Sequence, residues 1–161
     1  MRKIELKTEF TEFDSAGELP VPDQDLVRKA RETALSAYAP YSQFRVGAAL
    51  LLENGKVVTG NNQENAAYPS GLCAERVAAF SASATMPGIV FTAIAISCSS
   101  EKKNITEPLS PCGACRQSLS EYENRFGKNI RVILTGVSGK VWVFKSIADL
   151  LPLAFDAKKL R

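Results

Sequence analysis

Four residues stand out for the chemistry their types and spacing allow: Cys73, Glu75, Cys112 and Cys115. Three thiols in two short clusters, the second a Cys-x-x-Cys, make a ligand set for a tetrahedral zinc ion. Structural zinc sites are normally closed by four ligands, whereas catalytic ones keep a position open for water. Three thiols point to the open kind. Glu75 follows Cys73 by two positions, so its carboxylate can stand beside that open position without ligating. The chain contains no histidine, so any metal is held by thiolates or carboxylates and any general base is Glu, Asp or Lys.

A single cysteine is most often a small buried hydrophobe, but three at this spacing, with a glutamate beside them, fit that explanation poorly. Cys98 has no motif around it and ends an apolar run, so it reads as core rather than as a fourth ligand. Zinc held by three thiolates leaves a net negative charge. Arg76 and Arg116, each next to a site residue, are the candidates to offset it. Cys73 opens one expected helix, and Cys112 and Cys115 share a face in the first turn of another. A helix N-terminus lowers a thiol's pKa and favours the metal-binding thiolate. Cysteine ligands, a non-ligating glutamate two residues after the first, and a later Pro-Cys-x-x-Cys form the signature of zinc-dependent nucleobase deamination.

The elements that must position these groups follow from periodicity and punctuation. Residues 1–13 alternate in a strand-like way, and 14–22 read as a linker carrying Gly17, Pro20 and Pro22. Asp23 is placed to cap a helix over 24–38. Strands over 44–52 and 57–59 flank the Asn54-Gly55 turn. A polar loop fills 60–72, followed by a helix over 74–85 with Val77, Phe80 and Ala84 as its apolar positions. Residues 89–97 form a near-continuous apolar run, expected as a strand buried on both faces. The segment 99–111 is a loop, and Pro111 suits the first turn of a helix reaching Arg125. Short strands over 131–135 and 140–144, a helix capped by Ser146, and the basic tail Lys158-Lys159-Arg161 close the chain. The expectation is an α/β fold: one domain over 1–161 with 1–22 as an N-terminal extension, built as a three-layer α/β/α arrangement around a mixed five-stranded sheet.

The 161 residues suffice for one sizeable core, and 45% hydrophobic with 23% charged residues is an ordinary soluble composition. A net charge of +3, with lysines and arginines scattered, does not argue for a nucleic-acid partner. The charged N-terminus lacks the apolar stretch of a signal peptide, and no run approaches a membrane span. Four cysteines without a disulfide-type framework fit a reducing, cytoplasmic setting.

The sequence resembles the small zinc-dependent cytidine deaminases of nucleoside salvage over nearly all of residues 24–155. The resemblance is carried by Tyr41-Ser42-Gln43-Phe44-Arg45-Val46-Gly47-Ala48-Ala49, Asn62-Gln63-Glu64-Asn65-Ala66-Ala67-Tyr68, Cys73-Ala74-Glu75-Arg76 and Pro111-Cys112-Gly113-Ala114-Cys115-Arg116-Gln117. It implies Zn²⁺ on Cys73, Cys112 and Cys115, Glu75 as proton shuttle, and a small nucleoside as substrate. Asn62 and Glu64 fall where the family binds ribose hydroxyls, and Phe44 where a ring packs on the pyrimidine. The backbone at Ala66 and Cys73, with Glu75, would read the base. Phe155 matches a C-terminal phenylalanine that reaches a neighbouring subunit, implying a homotetramer with shared sites. Plain core positions for Phe44 and Phe155, and a turn-capping role for Asn62, are the alternatives. Two stretches depart from the pattern: the first 20 or so residues, and a 99–111 loop longer than in compact members, placed either over the site mouth or at a subunit edge.

Overall fold

The alternation within the central strands sets the layering. In the computed structural model, which describes residues 1–160, Ala48, Leu50 and Leu52 of β2 (Phe44–Leu52) join one core cluster and Ala49 joins the other. β4 (Phe91–Ser100) divides the same way, Ile94 and Ile96 against Ala93 and Ala95. In β5 (Arg131–Thr135), Val132 and Leu134 face away from Ile133. Successive strand residues point to opposite faces, so a sheet apolar at every position must be covered twice. α1 (Val21–Ala34) covers one face through Leu26, Val27 and Ala30. α2 (Ala74–Thr85) and α3 (Gly113–Phe126) cover the other through Ala74, Ala78, Ala82 and Leu119.

The sheet has six strands, not the expected five, in the order β1-β6-β5-β4-β2-β3. Only β4 and β5 run parallel; β3 (Val57–Asn61), β6 (Val141–Phe144) and β1 (Thr11–Phe13) pair antiparallel with their neighbours. The added strand comes from the N-terminal extension. Phe10 lies 5.0 Å from the Phe144 ring and 5.1 Å from that of Trp142. Glu12 accepts hydrogen bonds of 2.7 Å from both Lys140 Nζ and Trp142 Nε1. The extension thereby covers the edge that β6 would otherwise expose.

Close approach of helices to the sheet depends on two glycines. A Cβ on Gly47 would stand 2.0 Å from the Ala30 carbonyl oxygen of α1, and one on Gly60 2.5 Å from the Ala78 nitrogen of α2. The helix boundaries also differ from expectation. α1 starts at Val21 with Pro20 as N-cap, and ends at Ala34 rather than Tyr38. Asp23 does not cap it: its carboxylate is buried and paired with Arg131, 108 residues away. α2 buries its alanine face, while Phe80 of the expected apolar set stays 43% exposed. β4 continues three residues past Ser97, and Pro111 precedes the α3 cap instead of entering its first turn. Of the basic tail, Arg161 and the side chains of Lys158 and Lys159 lie outside the described residues.

Candidate functional site

Two helix starts converge on one point. Cys73 is the N-cap of α2 and Cys112 that of α3, and neither side chain is spent on capping its own helix. Cys115 sits one turn into α3 and is fully buried. The three sulfurs lie within 4.8 Å of one another, with Cys73–Cys112 at 3.8 Å and Cys112–Cys115 at 3.5 Å. Tetrahedral zinc with bonds of about 2.3 Å requires sulfurs about 3.8 Å apart, so the thiol set fits the ion. The trio offers three ligands, as the residue types predicted.

The charge around the trio favours the thiolate at Cys73. Cys73 is pulled down to about 5, first by the hydrogen bond from the Cys115 thiol, against the effect of burial, and further by Arg76. Cys115 is pushed up, chiefly because its proton is held by the Cys73 sulfur. Arg76 Nη2 stands 3.9 Å from Cys73 Sγ, and its buried Nε finds no partner among the described residues. Arg116, the second candidate for charge balance, is engaged elsewhere: Nε donates to the Pro111 carbonyl and Nη1 to that of Leu150, both at 2.8 Å. Of the two arginines, only Arg76 has a recorded hydrogen bond to a ligand sulfur.

Glu75 is buried in the first turn of α2, 5% exposed. Burial raises its pKa, and the negative sulfur of Cys73 adds to the rise. A carboxyl so placed exchanges a proton more readily near neutrality than a solvated one.

Cys73, Glu75, Arg76 and Cys112 open on a cleft of about 640 Å³, within the range of small-molecule sites. Phe44, Asn62, Glu64, Cys73, Glu75, Arg76 and Cys112 all line it. Glu64 Oε2 accepts from the backbone nitrogens of Tyr41 (2.9 Å) and Ser42 (3.3 Å), which fixes the carboxylate in the 41–43 turn. Its pKa is lowered, mainly by the Ser42 hydroxyl, so it is an anionic acceptor. Asn62 bridges β2 with its own amide, Oδ1 accepting from Val46 N at 2.7 Å and Nδ2 donating to Phe44 O at 2.9 Å. One Nδ2 hydrogen is left for a ligand. Gln43, at φ +56°, takes the left-handed conformation just before Phe44; for a residue with a side chain this is uncommon and marks a constrained turn.

Ala66 and Phe155 are exposed and do not line the cleft. Several lining residues carried no assignment from sequence: Tyr41, Ser42, Tyr68, Leu72, Leu109 and Thr135. Tyr41, Ser42 and Tyr68 stood inside the quoted motifs, which was the available signal; Thr135 and Leu109 had none. Cys98, a core residue as expected, also touches the cleft, and burial pushes its thiol up to about 11. The long loop comes to the site mouth, contributing Leu109 and Ser110. It is anchored at buried Ile105, whose carbonyl accepts from Val137 N at 3.1 Å, where Gly136 leaves room for it.

The chain matches the sequence model of the cytidine and deoxycytidylate deaminase zinc-binding region over residues 20–127. It is 40% identical to a cytidine deaminase of Sporosarcina psychrophila over 138 residues, covering 85% of this chain and 93% of that one. A cytidine deaminase of Halalkalibacterium halodurans is 38% identical, with 85% and 96% covered. Among solved structures, a cytidine deaminase from Burkholderia pseudomallei superposes with a TM-score of 0.71 at 45% identity, over 81% of this chain and 97% of the other.

Proposed function

The chain belongs to the cytidine and deoxycytidylate deaminase family, and on that footing we propose that it is a zinc-dependent hydrolase converting cytidine and 2′-deoxycytidine to uridine and 2′-deoxyuridine with release of ammonia. The observation that carries this reading is the convergence of three thiols and a buried, non-ligating Glu75 at the floor of a cleft whose rim holds an anionic Glu64. Zinc on Cys73, Cys112 and Cys115 supplies, when bound, an acidified water as nucleophile. Glu75 accepts the proton of that water as its oxygen adds to C4 of the cytosine ring, and delivers it to N3. It then moves the proton of the new C4 hydroxyl to the exocyclic amine. The C4–N bond breaks, ammonia leaves, and the C4 carbonyl of uridine forms. Arg76 offsets the negative charge of the thiolates.

At the other end of the cleft, Glu64 accepts a hydrogen bond from a ribose hydroxyl, and the free Nδ2 hydrogen of Asn62 donates to the sugar. Phe44 packs on the pyrimidine face. The backbone at Cys73, which lines the cleft, contacts the base. Phe155, exposed on its own chain, reaches the site of a neighbouring subunit in a homotetramer; the exposure of Tyr41, Tyr68 and Leu72 around the cleft supports a rim completed by other copies. The cytoplasm, where thiols stay reduced, is the setting in which the four free cysteines persist. Among the described residues no helix is long and apolar enough to cross a membrane. The test is direct: purified protein given cytidine should release ammonia and uridine in equal amounts, with one zinc per chain. Protein that holds zinc and leaves cytidine and deoxycytidine unchanged would refute it.

A further inference from the structure

Two consecutive residues of α3 hold opposite ends of the C-terminal segment. Arg116 Nη1 donates to the Leu150 carbonyl, and Gln117 Nε2 to the Phe155 carbonyl, each at 2.8 Å. They directly follow Cys115, and Arg116 also ties down the carbonyl of Pro111, the residue before Cys112. Between the two anchored carbonyls the chain forms neither helix nor strand. Leu153 sits there at φ +61° with its side chain 84% exposed, and the Phe155 side chain is 56% exposed. The Leu153 and Phe155 side chains therefore pack little on their own subunit.

The near end is secured several times over. Glu123 of α3 accepts from Ser146 Oγ and from Ile147 N, and Ser146 and Asp149 form a reciprocal cap on the turn Ile147–Leu150. The far end, where Phe155 leaves the surface, has the Gln117 amide. A carbonyl held by a side-chain donor on a helix takes part of its position from that donor, so losing the donor loosens it.

We propose that Gln117, with Arg116 behind it, is a positioning residue: it registers the Phe155 backbone against the helix that carries Cys112 and Cys115, and so sets where the Phe155 ring projects. The placement of the backbone stands on the hydrogen bonds alone; the consequence for substrate rests on the deaminase reading above.

The experiment compares zinc-loaded wild type, Gln117→Ala, Gln117→Glu, Phe155→Ala and the double variant Gln117→Ala/Phe155→Ala. Gln117→Glu keeps the length of the side chain and the helix but cannot donate when ionised, so it should behave as Gln117→Ala. Each protein is examined for zinc content, for amide hydrogen exchange over residues 151–156, and for KM and kcat with cytidine. Loss of one hydrogen bond should raise KM about 2- to 10-fold with kcat little changed, speed exchange over 151–156, and leave one zinc per chain. Because Gln117 acts through Phe155, adding Gln117→Ala to Phe155→Ala should change KM by less than about twofold. Unchanged exchange in both Gln117 variants, or KM effects that simply multiply in the double variant, would overturn the proposal. A wild type inactive on cytidine would instead refute the deaminase reading, and the exchange data would still decide whether Gln117 holds the segment.

Discussion

The floor and the rim of the cleft are built on different principles. The floor is made of helix starts: Cys73, Glu75, Cys112 and Cys115 stand at N-caps or in first turns, and Glu75 and Cys115 are buried. Helix geometry fixes each side chain to its neighbour, and the alanine face of α2 locks that helix to the sheet through contacts with no side-chain freedom to spare. The rim is made of turns and strand ends held by single side chains: Glu64 pins 41–42 and the Asn62 amide bridges two positions of β2. Its aromatic residues Tyr41 and Tyr68 remain exposed. The thiol cluster and Glu75 come together within one chain, whereas the end of the cleft at Tyr41, Tyr68 and Leu72 leaves apolar surface exposed.

If that division is right, damage to the floor strikes the rate and damage to the rim strikes binding. The largest effect is expected for Glu75→Gln, which should lose at least about 10²- to 10⁴-fold in kcat, the usual worth of general acid–base catalysis, while keeping its zinc. Near-wild-type turnover would remove Glu75 from its role. Next comes Glu64→Gln, expected to raise KM about 10- to 100-fold, as loss of a hydrogen bond to a charged group does, with kcat affected less. An equal fall in kcat would mean that rim and floor are not separable.

Most of the floor was legible in the sequence because it is written in residue types at fixed spacing, and a helix converts spacing directly into geometry. The rim was legible only through motifs, since a turn's shape depends on partners far along the chain. The same limit explains the misplaced elements. The period-two pattern over 1–13 suggested a strand, yet residues 1–10 form none and only Thr11–Phe13 pairs, on β6, so the sixth strand of the sheet was missed. Asp23 carries a cap-forming side chain, yet its carboxylate is claimed by Arg131 from β5. In α2, hydrophobicity favoured Phe80 as an inward residue, but Gly60 admits the helix backbone closely and the face turned to the sheet is mostly alanine, leaving Phe80 43% exposed. Arg116 stood beside a ligand in sequence and bonds to two backbone carbonyls in space.

Two smaller effects sharpen the contrast from outside the cleft. Phe10→Ala removes ring contacts to Trp142 and Phe144 and should cost about 1 kcal/mol, lowering Tm by about 2–4 °C. KM and kcat should not move, since the extension meets the sheet at the edge opposite β3; a change in KM would bring the extension into the site. The smallest effect concerns Cys98. A thiol raised to about 11 is about one part in a thousand thiolate at pH 8, and it is buried as well. After zinc is chelated, iodoacetamide should therefore modify Cys73 and Cys112 well before Cys98, as mass spectrometry of peptides would reveal. Equal labelling would show that Cys98 is open and available as a fourth ligand.

The account stands on a zinc ion held by three sulfurs with one position open. X-ray absorption at the zinc edge of the purified protein measures that coordination directly. Three sulfurs at about 2.3 Å and one oxygen or nitrogen is the predicted shell; four sulfurs, or fewer than three, would contradict it.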